Sequence, residues 1–303
     1  MARPPKLELP LREGVAASAL ACPAGAWPQL LDFLSERIPL VSRADWARRL
    51  SAGEVLDERG QALPVEAPYR PHTRLYYWRW LDAEPEIPFQ AQILYQDAHL
   101  LVADKPHFLP ITPKGRYVQQ TLLTRLRRAT GLAQLSPIHR LDRETAGLTL
   151  FSVRADSRDA YQRLFRERAV HKVYEAIAPW RSDLALPCRL AHRLQEHERD
   201  FMQMRVVDGE PNAITELSLL ERLSDGWARY ELRPLTGAKH QLRAQMCALG
   251  LPLRGDRIYP RLQPVEEPPS FDAPLQLLAR EIGFRDPLTG QARHFVSARQ
   301  LQP

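Results

Sequence analysis

A short charged segment, His139 to Leu148, places one carboxylate, Asp142, between Arg140 and Arg143. An apolar, strand-like run from Leu148 to Phe151 follows it directly. Basic neighbours favour the charged form of a carboxylate, which suits a nucleophile that acts on a polyanionic substrate. The same pattern also occurs in solvated ion-pair clusters on protein surfaces, which contribute little. The segment alone leaves both interpretations open.

A second polar segment, Leu235 to Arg243, combines the end of a strand, a glycine turn and the start of a helix. Its candidate binding residues are Thr236, Lys239, His240, Gln241 and Arg243. Backbone amides at a helix start favour an anion such as phosphate or carboxylate. A capped helix with solvated side chains is the alternative. A further candidate, Tyr174, lies between charged neighbours on a predicted strand, where half-buried tyrosines are common.

The sequence contains few signals for a cofactor or a metal. It has no GxGxxG or Walker-type phosphate loop and no GxSxG nucleophile turn. Cys188, His192 and His197 are suitable zinc ligands by type, but a fourth ligand is not evident and their spacing fits no standard site. We therefore expect no cofactor and no metal, which disfavours a metal-dependent hydrolase.

Composition points to a polyanionic partner. The 303 residues include 42 Lys and Arg against 36 Asp and Glu, a formal charge of +6. Such an excess favours nucleic acid as a partner. The cysteines Cys22, Cys188 and Cys247 form no CxxC pair, and their odd number indicates a reduced, cytoplasmic protein. No signal peptide and no membrane-spanning run is evident, so we expect no membrane association.

Prolines divide the chain into a small N-terminal part, 1–88, and a larger part, 89–303. Helical spacing over residues 27–36 and 43–50, and a turn at 57–60, predict a small α+β module. Its second helix is expected to expose Arg43, Arg48 and Arg49, as in a compact RNA-binding module. A structural extension with a solvated helix face is the alternative.

The larger part mixes strands and helices without regular alternation. Strands are predicted at 93–95, 99–103, 170–178 and 228–232, and helices at 119–130, 156–169 and 239–249. Many connections between strands are short. The pattern therefore favours an α+β fold with a largely antiparallel sheet.

Four segments in this order resemble the RluA-like family of RNA pseudouridine synthases. They are HRLDRETAGL around Asp142, KVYEA around Tyr174, TGAKHQLR ending at Arg243, and LGLPLRGDRIYP from Leu249 to Pro260. Asp104-Lys105-Pro106 and Leu109-Pro110 match the start of that family's domain, so the resemblance covers about residues 90–300. Three N-terminal segments, 31–34, 42–44 and 53–55, resemble a degenerate alpha-L type RNA-binding module.

The resemblance implies a sheet with flanking helices and a central cleft. It implies that Asp142 attacks the target uridine, that Arg243 pairs with it, and that Tyr174 stacks on the base. Arg140 would aid base flipping, and the further substrate contacts would be His139, Thr236, Lys239, His240 and Gln241. Arg143 and Glu144 are interpreted as flanking charges only.

Two positions depart from the family pattern, because Ala238 replaces a basic residue and Ala146 a hydroxyl residue. Neither departure removes Asp142, Tyr174 or Arg243, so we expect an active enzyme. Its partner would be structured RNA, with ribosomal RNA favoured and transfer RNA possible, and we expect a monomer. Both attack on the sugar and assistance of elimination at the ribose remain open. The alternative function is a non-catalytic RNA-binding protein that retains the fold.

Overall fold

The computed structural model describes residues 7–81, 83–197 and 202–302. The chain forms two compact units, 1–84 with 124–133, and 85–123 with 134–303. The first unit thus includes a segment that follows it by some forty residues in the sequence. The functional division at residue 88 stays a prediction.

The first unit contains a small antiparallel sheet and two helices. Its elements are β1 Ser18–Ala21, α1 Leu30–Arg37, α2 Arg43–Ser51, β2 Val55–Leu56 and β3 Arg74–Tyr77. The strand order is β1-β3-β2. Phe33, Leu34, Trp46 and Val55 are fully buried between the helices and the sheet. The helices are apolar on the face that this core requires.

One sequence prediction fails on α2. Arg49 is only 5% exposed, although the helical spacing predicts it on the solvated side with Arg43 and Arg48. It lies one turn after the buried Trp46, with its guanidinium 5.4 Å from that ring. Its Nη2 donates to the Trp80 carbonyl at 3.1 Å. The aliphatic stem therefore belongs to the apolar face, and the charged end donates one hydrogen bond to a carbonyl.

The larger unit is built on one extensive sheet. Its first elements are β4 Gln92–Gln96, β5 Leu100–Lys105, α3 Leu122–Thr130, β6 Ser136–Pro137, β7 Ala146–Ser152, α4 Arg158–Arg166 and β8 Val170–Pro179. Its later elements are β9 Cys188–Glu196, β10 Met204–Val207, β11 Ala213–Arg222, β12 Trp227–Pro234, α5 Gln241–Ala248, β13 Leu277–Arg285 and β14 Ala292–Val296. Residues 124–130 of helix α3 belong to the first unit, and only its first two residues belong to the larger one.

The sheet is mixed but mostly antiparallel, which confirms the predicted α+β class. Its strands run in the order β10-β9-β11-β12-β8-β13-β7-β5-β4, with β14 beside β13 and β6 beside β7. The pairing of β7 with β13 is parallel, and the other pairings are antiparallel. Every residue of β5 and β7 is buried. Burial on both faces explains why Leu100 to Ala103 of β5 form a continuous apolar run rather than an alternating pattern.

A glycine allows the parallel pairing beside the charged segment. Gly147 lies opposite Ala279 and has φ +108°. A Cβ at this position would lie 2.3 Å from the Ala279 carbonyl oxygen. Only glycine tolerates both this close approach and this backbone conformation. Because Gly147 follows Asp142 by five residues, the close approach anchors the segment that carries the carboxylate.

Some helix ends differ from the predictions. Helix α1 begins at Leu30 because Gln29 is its extended N-cap residue, and α5 begins at Gln241 rather than Lys239. Over the described ranges the longest helices have nine residues, and none could cross a membrane.

Candidate active site

Asp142 lies in the loop between β6 and β7, which internal contacts hold in place. The Thr145 N–H donates to the Asp142 carbonyl at 3.2 Å, closing a turn. His139 Nε2 accepts the Leu150 N–H at 3.1 Å, and its ring stacks on Phe165. Burial, with a smaller effect of Lys172, lowers the pKa of His139 to about 3, so the ring is neutral and can accept. His139 thus positions the loop, and a contact of His139 with substrate stays a prediction.

Arg243 on α5 joins Asp142 to a second carboxylate. Its side chain is 1% exposed, and its Nη1 donates to Asp142 Oδ2 at 3.1 Å. Its Nε and Nη2 donate to Asp256 Oδ2 and Oδ1 at 2.8 and 2.7 Å. This bidentate pairing fixes the plane of the guanidinium. One edge of Arg243 is therefore locked, and the remaining nitrogen faces Asp142.

Asp256 is a site residue that the sequence analysis did not single out. Its side chain is fully buried, and its Oδ1 also accepts the N–H groups of Ile258 and Tyr259. The sequence does place Asp256 in the segment from Leu249 to Pro260, which resembles the family. That resemblance was drawn for the whole segment and gave no role to the aspartate. Periodicity gives no reason to expect a buried aspartate after a glycine.

Glu144 is also more than a flanking charge. Its side chain is 17% exposed, and its Oε2 lies 4.0 Å from Arg243 Nη1. Arg143 Nε donates to Glu144 Oε1 at 2.8 Å. Burial raises the pKa of Glu144, but Arg143 and Arg243 outweigh burial and lower it overall. The carboxylates of Glu144 and Asp142, in the same loop, therefore both lie beside Arg243.

A buried lysine ties the same loop to β5. Lys105 is fully buried, and its Nζ donates to the carbonyls of Pro106, Leu109 and Arg143 at 2.8 to 2.9 Å. Burial lowers its pKa to about 7, while Glu144 and Asp142 act in the opposite direction. The lysine fixes the backbone one residue after Asp142.

A cleft in the larger unit brings most of the predicted site residues together. Those that line it are Arg140, Asp142, Tyr174, Thr236, His240, Gln241 and Arg243. The phenol of Tyr174, on β8, has its pKa raised by burial and by Asp142, so it is neutral. Lys172, two residues earlier, lines the cleft too and donates to the Thr236 carbonyl at 2.9 Å. Alternation along β8 places both side chains on the same face.

Thr236 and Gln241 use their polar groups inside the protein. Thr236 Oγ1 donates to Gln241 Oε1 at 2.7 Å, and that oxygen also accepts the Ala238 N–H. Gln241 Nε2 donates to the Ile214 carbonyl. These bonds shape the turn before α5, so the structure gives both side chains a positioning role. Contacts of either one with RNA stay predictions.

Lys239, a predicted substrate contact, and the three residues of the disfavoured zinc interpretation lie outside this cleft. Lys239 forms an exposed ion pair with Glu196 at 2.9 Å. Cys188 and His192 lie on β9, and His197 follows that strand. Among residues 7–81, 83–197 and 202–302, no three His, Cys, Asp or Glu side chains could together hold a metal ion.

Comparisons with known proteins place this chain in an enzyme family. The model of the RNA pseudouridylate synthase family matches residues 99–248. An uncharacterised RNA pseudouridine synthase of Synechocystis sp. is 31% identical over 239 residues, covering 76% of this chain and 79% of that protein. The dual-specificity RNA pseudouridine synthase RluA of Haemophilus influenzae is 31% identical over 224 residues, covering 71% and 96%.

A solved structure shares the fold. The human RNA Pseudouridylate Synthase Domain Containing 1 aligns with a TM-score of 0.57 at 23% identity, covering 72% of this chain and 86% of that one. The sequence relatives identify the chain as an isomerase that modifies RNA. The chain belongs to the RluA-like family of RNA pseudouridine synthases, as the resemblance implied. The catalytic interpretation thus prevails over the non-catalytic alternative.

Proposed function

We propose that this enzyme isomerises uridines of structured RNA with Asp142 as its nucleophile. The observation that carries the proposal is the 3.1 Å contact between Arg243 Nη1 and Asp142 Oδ2 in the cleft. Asp256 fixes the orientation of Arg243, so the remaining guanidinium nitrogen can orient the Asp142 carboxylate for attack. The Asp142 side chain is 29% exposed, which leaves it accessible to a ribose.

The reaction balances without a cofactor. The bond from the ribose to N1 of the base breaks, the base turns, and a bond from C5 to the same ribose carbon forms. C5 loses a proton and N1 gains one, so nothing is oxidised or reduced. Attack on the sugar and assistance of elimination at the ribose both use the Asp142 carboxylate at this position.

Tyr174 and Arg140 fit the handling of a flipped base. A neutral phenol that lines the cleft offers an aromatic face on which the extruded uracil can stack. Arg140 is exposed at the cleft, where it can fill the vacated stack or contact a phosphate. Unstacking a base takes about a few kcal/mol, so such compensation is needed.

The proposed substrate is ribosomal RNA, with transfer RNA as the second candidate, and the enzyme would act as a cytoplasmic monomer. The relative from Haemophilus influenzae is named a dual-specificity enzyme, which supports proposing more than one RNA substrate. Residues 1–88 would form the RNA-binding module and residues 89–303 the catalytic domain. Arg43 and Arg48 on α2 are exposed and can exchange their carboxylate partners for phosphates.

Pseudouridine mapping tests the function. Total RNA from a strain that lacks the protein is expected to lose at least one pseudouridine, which the wild-type gene restores and Asp142→Asn does not. The control Asp183→Asn changes an exposed carboxylate paired with Arg181 and is expected to restore the modification. An unchanged map in the deletion strain would contradict the activity, and restoration by a well-folded Asp142→Asn protein would contradict the role of Asp142.

A further inference from the structure

His240 has an unusual backbone at the edge of the cleft. Its φ of 51° and ψ of 22° lie in the left-handed region, where a residue with a side chain is disfavoured. Such conformations persist where surrounding contacts enforce them, often at functional sites. Here the conformation directs the ring toward the nucleophile, with His240 Nε2 3.7 Å from Asp142 Oδ1. Arg243 occupies the other oxygen, Oδ2.

The second ring nitrogen of His240 faces a tyrosine. Nδ1 lies 3.3 Å from the Tyr259 hydroxyl, and Tyr259 is 6% exposed. The Met204 N–H donates to the same hydroxyl oxygen at 2.6 Å. Since that oxygen already accepts one hydrogen bond, its own hydrogen is available for Nδ1. The geometry therefore favours Nδ1 as acceptor and leaves the ring proton on Nε2, which faces Asp142.

The charge states of both groups agree with this direction. Burial lowers the pKa of His240 although Asp142 opposes it, so the neutral ring is favoured. Burial is also the main cause that raises the pKa of Tyr259 to about 12, which keeps the phenol protonated. A neutral imidazole with one fixed proton has one donor to offer.

We propose that Tyr259 and His240 are positioning residues, which present a single N–H to Oδ1 of Asp142 while Arg243 holds Oδ2. The inference rests on the proposed role of Asp142. The 3.7 Å separation is longer than a hydrogen bond. Catalytic hydrogen bonds are commonly long before substrate binds and then shorten. A carboxylate has about four lone-pair directions, so two donors leave it able to react.

Nuclear magnetic resonance of the free protein tests the tautomer without any RNA. With ¹⁵N-labelled histidine, the His240 signals are identified by their loss in His240→Gln. We expect an unprotonated Nδ1 and a protonated Nε2 in the wild type, and a mixture of tautomers in Tyr259→Phe. A wild-type protein with its proton on Nδ1 would overturn the proposal, because Nε2 would then have no hydrogen for Asp142.

A double-mutant cycle separates positioning of Asp142 from a merely structural role. His240→Gln places an amide nitrogen near the position of Nε2, and this donor needs no tyrosine to fix a tautomer. Tyr259→Phe is expected to lower kcat about tenfold with KM changed less than about twofold, the loss of one hydrogen bond to a charged group. In the His240→Gln background, the same change is expected to alter kcat by less than about twofold.

Activity is measured as tritium released from RNA of the deletion strain, labelled with tritium at C5 of uridine. The C5 hydrogen leaves during isomerisation, so the release reports each turnover. Equal losses from Tyr259→Phe in both backgrounds would overturn the proposal, since they would show that the hydroxyl only fastens Met204. An inactive wild type would refute the proposed function instead. The resonance measurement of the His240 tautomer would then still show whether Tyr259 fixes the proton of His240 on Nε2.

Discussion

Arginines pair with carboxylates in both units of the chain, but in opposite environments. Arg243 contacts Asp142 and Asp256 at 2.7 to 3.1 Å and is 1% exposed. Arg43 contacts Asp32 at 2.7 Å, yet its side chain is 54% exposed. The distances are nearly the same. Exposure rather than distance therefore decides what each pair does for the protein.

The physical reason is the cost of removing charge from water. A buried ion pair attracts strongly, but its members have lost their hydration, so neither tolerates the loss of its partner. The attraction within a surface pair is screened by water and salt, and ordering two long side chains costs conformational entropy. Such a pair therefore contributes little to the stability of the fold. The cleft is consequently pre-organised around Asp142, whereas α2 retains cations that can exchange partners.

Replacing Arg243 by Met should have the largest effect. It leaves Asp256 buried without its cation, and such losses destabilise by about 3–5 kcal/mol. Activity should also fall by at least about 10²-fold, as when a donor to a reacting oxygen is removed. Calorimetry measures the stability, and tritium release measures the activity.

Arg233→Met is the matched control in the same unit. Arg233 pairs with Glu231 at 2.8 Å but is 48% exposed. Its loss should change stability by less than about 1 kcal/mol and leave activity near that of the wild type. If both variants lost equal stability, burial would not be the deciding variable.

Arg49→Met is an intermediate case, because Arg49 is buried but pairs with a carbonyl rather than a carboxylate. Methionine preserves the packing of the stem and removes the bond to the Trp80 carbonyl. The expected loss is about 1.5–3 kcal/mol, the contribution of one hydrogen bond to a charged group. Urea denaturation followed by tryptophan fluorescence measures it. A loss as large as that of Arg243→Met would show that the partner's charge is irrelevant.

The same contrast explains what the sequence could and could not predict. Asp142, Tyr174 and Arg243 lie in segments whose order resembles a known family, and the structure brings all three to one cleft. Asp256 and Glu144 lie in or beside those segments, but their importance depends on their distance from Arg243 across the fold. Such distances are not contained in local sequence.

Similar reasons apply to the fold. Apolar runs predicted β5 and β7 as strands, but not the parallel contact of β7 with β13, because pairing partners lie far apart in sequence. The apolar spacing over residues 239–249 predicted a helix, but the left-handed backbone of His240 delays its start to Gln241. Helical spacing also assigned Arg49 to the exposed face, because a charged residue gives no sign that its stem is buried.

The smallest effect on stability is expected for Arg43→Gln combined with Arg48→Gln. Each side chain is more than half exposed, so each change should cost less than about 0.5 kcal/mol. RNA binding should weaken, and the slope of log Kd against log salt should fall by about one for each phosphate that the protein no longer neutralises. Fluorescence anisotropy with labelled RNA that carries a mapped site measures both the affinity and its salt dependence.

Arg59→Gln, which changes an exposed arginine outside α2, is the control. If the double variant and the Arg59→Gln control had the same affinity and the same salt slope, α2 would not be part of the RNA-binding surface. A loss of RNA affinity in the double variant alone would show that the exposed Arg43 and Arg48 bind the substrate. The buried Arg243 would then be the arginine that acts in the reaction.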